Sequence, residues 1–524
     1  MHDPAQLIAA LCDPQVHGPR CQGTRLMETH ISWVILTGEF AYKIKKPVDF
    51  GFLDFSTLAQ RRFFCHEELR LNQRLAAPLY LSVVPITGIA ERPQLGGAGP
   101  VLEYAVKLRQ FEDSALGDRL AQAGQLENPL LDDLASTLAR FHQDTPRAQA
   151  MDDHGTPSAI AAAAEHNFTH LETAQASAGG DRLDRLRNWT LENARRLASA
   201  FQDRKQKGCV RECHGDLHLG NLVLFDGRLM PFDCIEFSED LRWIDVISEV
   251  AFLLMDLEVN AGTAPAFRLL NHYLEITGDY AGLALLDFYR VYRAMVRAKI
   301  ASLSLAHCEA PAEERAERVR RRDAYLDYAE RAAQPRKPTL IITHGYSGSG
   351  KSLLSKSLAE HLPAIRLSSD VERKRLAGLA ADARTAAGPL QGIYSNEFTR
   401  RTYQHLLDMA RTLLESGCNV VVDATFLLRD HRRAQANLAD ACGAHFLILD
   451  LQAEKVLLRR RVEARGREGS DPSEADTGVL ERQWAYAQAL DSGEQAQALA
   501  VDASSDFNIG EVVAAIGHRL VLDA

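Results

Sequence analysis

The chain has 524 residues, of which 46% are hydrophobic and 25% charged, and its 70 acidic against 60 basic residues give a formal net charge of −10. This balance is that of a globular protein and excludes a disordered chain, a collagen-like chain and a small disulfide-stapled protein. The acidic charge also argues against a protein that coats nucleic acid, because such a protein needs a broad basic surface. At ~100–200 residues per domain, the length predicts roughly three compact units.

The cysteines and the hydropathy pattern indicate a cytoplasmic protein. Nine cysteines, an odd number without repeating spacing, are typical of reduced thiols rather than of a disulfide framework. The first residues include an acid, Asp3, and only a short apolar run, which makes a poor signal peptide. The most apolar stretch, 246–257, is interrupted by Glu249 and Asp256 and falls short of the ~20 apolar residues that a membrane span needs. We therefore expect no membrane anchor.

A change from a highly charged stretch to an apolar one at 331–338 (RAAQPRKP) predicts the main domain boundary. Before it, the mixed charges of 313–331 favour an exposed helix; after it, TLIITH is a short β-branched run typical of a buried strand. Residues 1–335 carry a net charge of −9 and residues 336–524 only −1. We predict a first domain over 1–335, with a small lobe of about 1–110 and a large lobe of about 111–330, and a second domain over 336–524.

The two predicted domains differ in the order of their elements. Residues 29–110 alternate strand-like runs with one helical run at 58–75, whereas helical patterns dominate 130–330 apart from a strand-and-turn stretch at 210–237. The Ala-rich stretch 155–180 is expected to be a helical or mobile insertion. The second domain alternates helices with strand-like runs, which predicts βαβ units and a parallel sheet. Its strands are expected at 340–344, 364–368, 419–423, 445–451 and 497–501.

A phosphate-binding loop opens the second domain. The segment GYSGSGKS fits the pattern G-x-x-x-x-G-K-[ST]. Its glycines let the backbone wrap a phosphate, Lys351 would reach the β- and γ-phosphates, and the Ser352 hydroxyl would ligate Mg²⁺. The motif follows a predicted strand and begins a helical run, a context that a chance Gly/Ser turn lacks. We expect the nucleotide to be bound by Gly345, Ser347, Gly348, Ser349, Gly350, Lys351 and Ser352.

Two carboxylates follow neighbouring strands of the predicted parallel sheet, at the edge where ligands bind. Asp370 comes after the second strand, where it could accept the proton of a substrate hydroxyl, and Arg373 could hold an anionic group one helical turn later. The alternative for this pair is an N-cap aspartate and a solvated arginine. Asp423 ends the third strand beside the phosphate loop, where an aspartate commonly binds Mg²⁺.

An arginine cluster follows at 459–467. Arg461 and Arg465 are spaced i, i+4 and therefore share a helix face, and the segment GREGSDPSEAD comes directly after them. The pair is predicted to belong to a lid that closes on the transferring phosphate. For the arginines at 459, 460 and 467, a solvated basic helix is the better interpretation.

These motifs resemble the polynucleotide-kinase and zeta-toxin-like branch of the P-loop kinases. The matching segments are GYSGSGKS, the D-x-x-R of Asp370 and Arg373, VVDAT around Asp423 and the R-x-x-x-R of Arg461 and Arg465, and they span nearly all of 338–524. The resemblance implies that Asp370 is the general base, that Arg373 contacts an acceptor phosphate and that the lid arginines stabilise the transferring group. Acceptors in this branch range from 5′-hydroxyl nucleic-acid ends to sugars and small molecules.

The first domain carries a second phosphotransfer motif. The segment HGDLHLGN at 214–221 fits the kinase catalytic loop H-x-D-x-x-x-x-N, in which Asp216 would accept the hydroxyl proton and Asn221 would bind Mg²⁺. Asp226-Gly227 behind it predicts a type I′ hairpin in which residue 221 faces residue 232. Asn221 and Asp233 would then emerge together as two oxygen ligands for Mg²⁺.

A zinc site is an alternative use of the same segment, since it holds Cys209, Cys213, His214 and His218. The Cys-x₃-Cys and His-x₃-His spacings are loose for a four-ligand site, and such a site would consume the catalytic loop. The kinase interpretation is therefore preferred.

The lysine that contacts the nucleotide is expected on an early strand. The run AYKIKK places Lys43 and Lys45 on one strand face, which leaves the choice between them open. Lys43 is selected first, and the alternative for it is a solvated lysine on an edge strand. The helical run at 58–75 carries Glu67 and Glu68, of which Glu68 is selected as the partner of this lysine. A glycine-rich loop that would cover the phosphates is not evident ahead of Trp33, where the nearest segment is GPRCQGTR.

This second set resembles the aminoglycoside-phosphotransferase and choline-kinase-like group over roughly 25–330. HGDLHLGN matches its catalytic loop, PFDCIEF stands where the group has its metal-binding aspartate, and LRWIDVISEVAFLL resembles the following helix, whose Asp245 would brace the loop. The resemblance implies an α+β bilobal protein-kinase-like domain with ATP between its lobes, followed by an α/β three-layer P-loop kinase domain. The whole chain is similar to bacterial bifunctional proteins that join an aminoglycoside-phosphotransferase-like domain to an ATP-binding P-loop domain.

We expect an ATP-dependent kinase with two Mg·ATP modules, each of which transfers a γ-phosphoryl group to a hydroxyl acceptor such as an aminosugar, a sugar, a nucleoside or a nucleotide. Two alternatives stay open. One is a nucleotide-gated regulatory protein whose first domain is a pseudokinase that senses a ligand. The other is a kinase of 5′-hydroxyl nucleic-acid ends, which the arginine cluster permits and the net charge does not favour. The oligomeric state is left open.

Overall fold

A computed structural model describes residues 3–51, 53–174, 180–306, 311–380, 383, 392–468, 476–505 and 507–522. The chain divides into two compact units. The first consists of Met1–Ala178 and Thr190–Ala261, and the second of Gly179–Trp189 and Gly262–Ala524. The predicted boundary between residues 335 and 336 lies just before the first strand of the second unit, whereas the unit itself takes in the helical segment from Gly262 onward.

The described residues form fifteen strands and twenty α-helices. The strands are β1 (Arg25–Glu28), β2 (Ser32–Leu36), β3 (Phe40–Lys45), β4 (Tyr80–Ile89), β5 (Arg92–Leu95), β6 (Val101–Arg109), β7 (Val210–Glu212), β8 (Leu222–Phe225), β9 (Arg228–Pro231), β10 (Trp243–Asp245), β11 (Thr339–His344), β12 (Ala364–Ser368), β13 (Asn419–Asp423), β14 (His445–Gln452) and β15 (Ala498–Asp502). The helices are α1 (Pro4–Leu11), α2 (Leu58–Ala76), α3 (Gly117–Gln122), α4 (Asn128–Asp144), α5 (Pro157–Ala174), α6 (Gly180–Arg196), α7 (Ala198–Gln206), α8 (Glu239–Arg242), α9 (Val246–Asn260), α10 (Thr263–Thr277), α11 (Leu286–Ala306), α12 (Ala312–Ala333), α13 (Lys351–His361), α14 (Ser369–Leu376), α15 (Asn396–Glu415), α16 (Arg429–Ala441), α17 (Lys455–Glu468), α18 (Thr477–Tyr486), α19 (Ser492–Ala496) and α20 (Ile509–Leu522).

The first unit is built on a six-stranded antiparallel sheet in the order β1-β2-β3-β6-β4-β5. Helix α2 packs against β4 and β6. It begins where the sequence predicts, because the side chain of Thr57 accepts the Gln60 N–H and the Gln60 side chain accepts the Thr57 N–H, an arrangement that pairs two otherwise unbonded amide groups at the helix start. This architecture confirms the kinase-like fold with an antiparallel sheet.

The polypeptide around the catalytic-loop motif rests on one central helix. Every residue of α9 from Val246 to Leu257 is buried, as expected for the most apolar stretch of the chain. The short antiparallel hairpin of β8 and β9 lies ahead of α9 in the sequence, and α9 itself contacts α3 and β10. This buried helix supports the motif 214–221, because two of its side chains accept backbone N–H groups of the motif.

The second unit is built on a five-stranded, fully parallel sheet in the order β12-β13-β11-β14-β15. Each predicted strand is confirmed to within one residue, because short β-branched runs separated by helical patterns leave little choice of element. The core on one face includes Ile341, Leu354, Val421 and Leu449. Such a sheet exposes the carboxyl ends of its strands as the ligand edge, and this confirms the P-loop kinase fold.

Helix α12, whose mixed charges predict an exposed helix, is exposed on one side only. In α12, Tyr325, Leu326, Tyr328 and Ala329 are buried, and the helix packs along α11. The charged residues occupy one side of the helix and the aromatic residues the other. The high charge content of the sequence makes this buried side hard to recognise before the structure is known.

No helix in the described ranges is both long enough and apolar enough to cross a membrane.

Candidate functional site

The catalytic-loop segment of the first unit ends in the hairpin that the sequence predicts. Asp226 and Gly227 have φ angles of 49° and 75°, the left-handed values of a type I′ turn, whose twist matches that of the flanking strands. The N–H of Phe232 donates to the Asn221 carbonyl at 3.0 Å. This contact confirms that residue 221 faces residue 232, and it places Asn221 and Asp233 at the same end of the hairpin.

Asp216 lies beside Asn221 at this end of the hairpin. The side-chain amide of Asn221 donates to Oδ2 of Asp216 at 2.9 Å and to its carbonyl at 3.0 Å. His218 Nε2 is 3.4 Å from the same Oδ2. The Asp216 side chain is 37% exposed, so that a substrate hydroxyl can reach it. Because the amide nitrogen of Asn221 faces Asp216, the amide oxygen remains as a ligand for a cation.

Lys43 and Lys45 both reach Glu68 of α2 from the same face of β3. Lys43 Nζ is 2.9 Å from Glu68 Oε1 and 2.5 Å from Asp233 Oδ1. Lys45 Nζ is 2.7 Å from Glu68 Oε2 and also contacts Glu236. The Lys45 side chain is 1% exposed and that of Lys43 15%, and β3 is an interior strand. The alternative of a solvated edge-strand lysine is therefore wrong, and Lys43 is the lysine that also contacts Asp233.

The pKa values of the two carboxylates in this cluster differ because they contact different numbers of lysines. Burial alone would raise the pKa of Glu68, but the ammonium groups of Lys43 and Lys45 outweigh it and hold this pKa at about 2. Burial prevails for Glu236, whose pKa is raised. Glu68 is therefore the firmly ionised partner that fixes Lys43 in front of the hairpin.

Two acids of α9 hold the backbone of the catalytic loop. Glu249 and Asp256 are seven residues apart and so lie on one helix face. Oε1 of Glu249 accepts the N–H groups of His214 at 2.5 Å and Gly215 at 2.9 Å. Oδ2 of Asp256 accepts the N–H of Leu219 at 2.9 Å. The loop that carries Asp216 is thus anchored at both ends of its backbone.

The bracing role that the resemblance implies for Asp245 falls to these two residues instead. Asp245 caps α9 by accepting the Ile247 N–H at 2.9 Å, and its two carboxylate oxygens pair with Arg204 at 2.6 and 2.7 Å. The sequence marks Glu249 and Asp256 as acids that need a polar partner, because they interrupt the most apolar helix, but it does not show which segment supplies that partner.

Glu249 predicts a pH-dependent stability of the first unit. Burial would raise its pKa, but His142 at 2.6 Å, His214 and the loop amides lower it to about 2. Because this pKa is depressed in the folded state, its contribution is complete above the unfolded value near ~4.3 and is lost as the pH falls toward about 2. We expect Glu249→Gln to lower the free energy of unfolding by about 2–3 kcal/mol at neutral pH.

Urea titrations of the full chain and of Glu249→Gln across the acidic range would check this. The difference in unfolding free energy between the two proteins should shrink steadily below pH ~4.3. A difference that stays constant down to the lowest pH would contradict the assignment of Glu249 as an ionised brace.

The zinc alternative at this loop is not supported. Nε2 of His214 is 2.9 Å from the Phe232 carbonyl, and Nδ1 of His218 accepts the Gly220 N–H at 3.0 Å. Both histidines thus serve the backbone of the loop. Among the residues that the structure describes, the one group of metal-ligand atoms that converges is His142, Cys213 and Glu249, a set that differs from the four residues of the alternative.

The turn between β1 and β2 carries no glycine. It consists of residues 29–31, and the Ser32 N–H donates to Oγ1 of Thr29 at 2.9 Å. The candidate segment GPRCQGTR lies ahead of this turn and runs into β1. In protein kinases a glycine-rich loop covers the phosphates, so the first unit differs from them at this point.

The phosphate loop of the second unit has the backbone that its glycines allow. Gly345, Gly348 and Gly350 have φ angles of 148°, 83° and 85°, a region that side-chain-bearing residues rarely adopt. A Cβ on Gly348 would lie 2.9 Å from the Leu458 carbonyl oxygen. Helix α13 begins directly at Lys351, so the loop amides and the helix N-terminus face the same space, as a phosphate requires.

A glutamine from α18 supports this loop, and the motif alone does not reveal it. The Ser347 N–H donates to Oε1 of Gln483 at 2.9 Å, and Nε2 of Gln483 donates to the Ser347 hydroxyl at 3.0 Å. Lys351 Nζ is 2.7 Å from the Tyr346 carbonyl. Gln483 lies 136 residues beyond Ser347, and no spacing rule connects two residues that far apart.

One cavity of about 950 Å³ joins the phosphate loop to the predicted acceptor residues. Its lining includes Lys351, Ser352 and Asp423 as well as Asp370 and Arg373. The N-cap position of α14 is occupied by Ser368 rather than by Asp370. The alternative of an N-cap aspartate is therefore wrong, since Asp370 lies within the first turn of the helix.

Arg373 is held at the wall of this cavity. Its Nη1 donates to the Ile393 carbonyl at 2.8 Å and to Oγ1 of Thr399 at 3.1 Å, and its guanidinium lies over the Tyr394 ring at 5.4 Å. The residue is 8% exposed, and its buried Nε has no hydrogen-bond partner in the described structure. The alternative of a solvated arginine is wrong, since the side chain is buried and bonded to neighbouring residues.

Further cations and aromatic rings line the same cavity without belonging to the predicted motifs. Arg400 and Arg482 contribute two guanidinium groups. Tyr403 and His431 also line it, with their rings stacked at 3.9 Å. Basic and aromatic residues at isolated positions carry no recognisable spacing, and only the fold brings them together.

Of the two arginines predicted to form a lid, the structure describes the side chain of Arg461 and not that of Arg465. Nη1 of Arg461 donates to the Ala503 carbonyl at 2.7 Å, and Arg461 is absent from the cavity lining. The side chain of Arg465 and the greater part of the segment 466–476 lie outside the described residues. A contact of these arginines with the transferring group stays a prediction.

Both predicted metal sites offer oxygen ligands, which suit Mg²⁺. In the first unit these are the amide oxygen of Asn221 and the Asp233 carboxylate, whose side chain is 45% exposed. Asp233 has a φ of 62°, and strained backbone of this kind is found at functional sites. In the second unit the ligands are the Ser352 hydroxyl and the Asp423 carboxylate, which both line the cavity.

Two family models match separate stretches of the chain. Residues 63–286 match the model of the phosphotransferase enzyme family, and residues 340–490 match an AAA domain model. The uncharacterized protein Rv2004c of Mycobacterium tuberculosis is 33% identical over 447 residues, which are 85% of this chain and 86% of the relative.

Two solved kinase structures are also similar to the chain. The amicoumacin kinase hAmiN, solved with AMP-PNP, Ca²⁺ and amicoumacin, is 13% identical, with 62% of this chain and 94% of that chain covered and a TM-score of 0.36. The APS kinase CysC of Mycobacterium tuberculosis is 22% identical, with 36% and 99% covered and a TM-score of 0.27. The chain belongs to the same family as Rv2004c, and it joins a phosphotransferase-family domain to a P-loop kinase-like domain.

Proposed function

We propose that the protein is a kinase with two Mg·ATP sites, each of which transfers a γ-phosphoryl group to a hydroxyl acceptor. The two domain families support phosphoryl transfer of the kinase type. The observation that carries the proposal is that each unit brings a lysine, oxygen ligands and an accessible aspartate to one place. Phosphoryl transfer depends on positioning and charge neutralisation more than on covalent chemistry, and these groups supply both.

In the first unit, Asp216 accepts the proton of the acceptor hydroxyl. As the bond between that oxygen and the γ-phosphorus forms, the bond from the γ-phosphorus to the bridging oxygen of ADP breaks. Lys43, fixed by Glu68, holds the nucleotide phosphates. Mg²⁺, when bound by Asn221 and Asp233, neutralises charge on the phosphates.

In the second unit, Asp370 takes the same role as proton acceptor. Lys351 and the loop amides hold the phosphates, and Ser352 with Asp423 would hold Mg²⁺. The wall of the cavity includes three arginines, Arg373, Arg400 and Arg482. Such a wall supports a small acceptor that bears an anionic group beside its hydroxyl.

One observation favours a second candidate for the first unit, namely a pseudokinase that binds nucleotide as a signal. The glycine-free turn at 29–31 leaves the phosphates without the usual flexible cover. Nucleotide binding at the first site without Mg-dependent transfer to any acceptor would favour this candidate.

A calorimetric titration tests the two-site proposal. The full chain in Mg²⁺ is expected to bind two equivalents of a non-hydrolysable ATP analogue, because each unit has its own lysine for the phosphates. Lys351→Ala should remove one equivalent and Lys43→Ala the other, whereas Lys207→Ala, an exposed lysine at the end of α7, should bind both. A native stoichiometry of one, or the loss of both equivalents in a single variant, would refute the proposal.

A further inference from the structure

A buried arginine links the candidate metal ligand of the P-loop site to helix α10. Arg366 lies in the middle of β12 and is buried. Its Nη2 donates to Oδ2 of Asp423 at 2.5 Å, its Nη1 to Oε1 of Glu275 at 2.5 Å, and its Nε to the Ser355 hydroxyl at 2.9 Å. All three nitrogen atoms of the guanidinium are thus engaged, and two of them meet carboxylates on opposite sides.

Helix α10 is also bonded to the strand that carries this arginine. The strand β12 is an edge of the parallel sheet, so one row of its backbone groups needs another partner. Nδ2 of Asn271 donates to the Ala364 carbonyl at 2.9 Å, and the Arg366 N–H donates to Oδ1 of Asn271 at 2.8 Å. The side-chain amide of Asn271 therefore takes the place of a neighbouring strand.

The same helix packs along α13, which begins at Lys351 of the phosphate loop. Arg268 Nη1 is 3.0 Å from Oε1 of Glu360 across this contact. Residues 263–277 lie inside the segment that matches the phosphotransferase family, although their side chains complete the sheet of the P-loop domain. This helix is therefore a structural part of the second unit.

The arrangement divides the charge of Arg366 between two acids. An arginine guanidinium stays protonated in proteins, so one positive charge faces both Asp423 and Glu275. If Arg366 faced Asp423 alone, it would neutralise the carboxylate that a divalent cation needs. Glu275 draws part of this charge away, while Arg366 still fixes the orientation of one Asp423 oxygen.

We propose that Arg366 is a positioning residue for Asp423 and that Glu275 sets how strongly Arg366 offsets the charge of Asp423, so that α10 tunes divalent-cation binding at the P-loop site. This inference rests on the proposed function of Asp423 as a metal ligand. Its consequence is electrostatic: removal of the Glu275 charge leaves Arg366 to Asp423 alone and weakens the binding of the cation.

The experiment measures Mn²⁺ binding to the full chain by electron paramagnetic resonance, in the presence of a non-hydrolysable ATP analogue. The P-loop contribution is the part that Lys351→Ala removes. We expect Glu275→Gln to weaken Mn²⁺ binding at this site by about three- to tenfold, with binding of the analogue in EDTA unchanged. Glu275→Asp, which keeps the charge, should retain an affinity within about twofold of the native protein.

Glu360→Gln is the matched control, because it makes the same chemical change at the contact of α10 with α13 and does not touch Asp423. It should lower the melting temperature and leave Mn²⁺ affinity unchanged. Equal Mn²⁺ affinities of Glu275→Gln and the native protein, or equal losses in Glu275→Gln and Glu360→Gln, would overturn this inference alone. A native chain without Lys351-dependent Mn²⁺ binding would overturn the proposed function and, with it, this inference.

Discussion

Asp216→Asn is expected to lower phosphoryl transfer at the first site by about 10²- to 10⁴-fold, the range that a general base contributes. The substitution keeps the shape of the side chain and its contact with Asn221 but removes the group that takes the hydroxyl proton. The KM for ATP should change little, because Lys43, which Glu68 fixes, is expected to hold the phosphates independently of Asp216. Initial rates with γ-labelled ATP measure both quantities.

Asp226→Asn is the matched control for this variant. Asp226 lies at the exposed tip of the same hairpin with a φ of 49°, a conformation that asparagine tolerates. Its rate should equal that of the native protein. If Asp216→Asn retained the native rate, Asp216 would not be the base, and the pseudokinase interpretation of the first unit would gain support.

Asp370→Asn is expected to lower transfer at the second site by a similar factor of about 10²–10⁴, with the first site unaffected. Asp370 lines the cavity beside Arg373, so the variant should bind acceptor normally and lose the step in which the hydroxyl proton leaves. A fall in kcat with a nearly constant KM for the acceptor is the expected kinetic signature.

Asp408→Asn serves as the control for the second site, since Asp408 is exposed on α15 and its side chain accepts a bond from Gln404 of the same helix. Loss of acceptor binding rather than of kcat in Asp370→Asn would assign Asp370 to binding. The same loss in Asp408→Asn would point to a general disturbance of the domain.

The short motifs were predictable because their chemistry is contained in a few consecutive residues. The phosphate loop needs glycines at set positions, and the hairpin after Asn221 needs a residue pair that adopts positive φ. The parallel sheet was predictable for a related reason, since a period of strand and helix specifies both the elements and their connection. In each case, a short stretch of sequence is enough to determine the local structure.

The supports of these motifs were not predictable from spacing. Glu249 and Asp256 act on a loop that precedes them by about 35 residues, and Gln483 acts on a loop more than a hundred residues away. In the sequence, Arg366 only interrupts an apolar strand; the structure shows that it pairs with Asp423 and Glu275. Such residues are defined by which elements pack together, and that is decided by the whole fold.

The choice between Lys43 and Lys45 shows the same limit on a smaller scale. Alternation along β3 places both lysines on one face, as predicted, and both meet Glu68. What separates them is the second carboxylate that each one contacts, Asp233 for Lys43 and Glu236 for Lys45. Both of these acids come from the distant segment after the hairpin.

The central claim is that one chain contains two separate phosphotransfer sites. The most direct test is a screen of hydroxyl acceptors with γ-labelled ATP that compares the native protein with Asp216→Asn and Asp370→Asn. Two classes of labelled product are expected, one lost only in Asp216→Asn and the other lost only in Asp370→Asn. A single class of product that both variants abolish, or labelling that persists in the double variant, would contradict this claim.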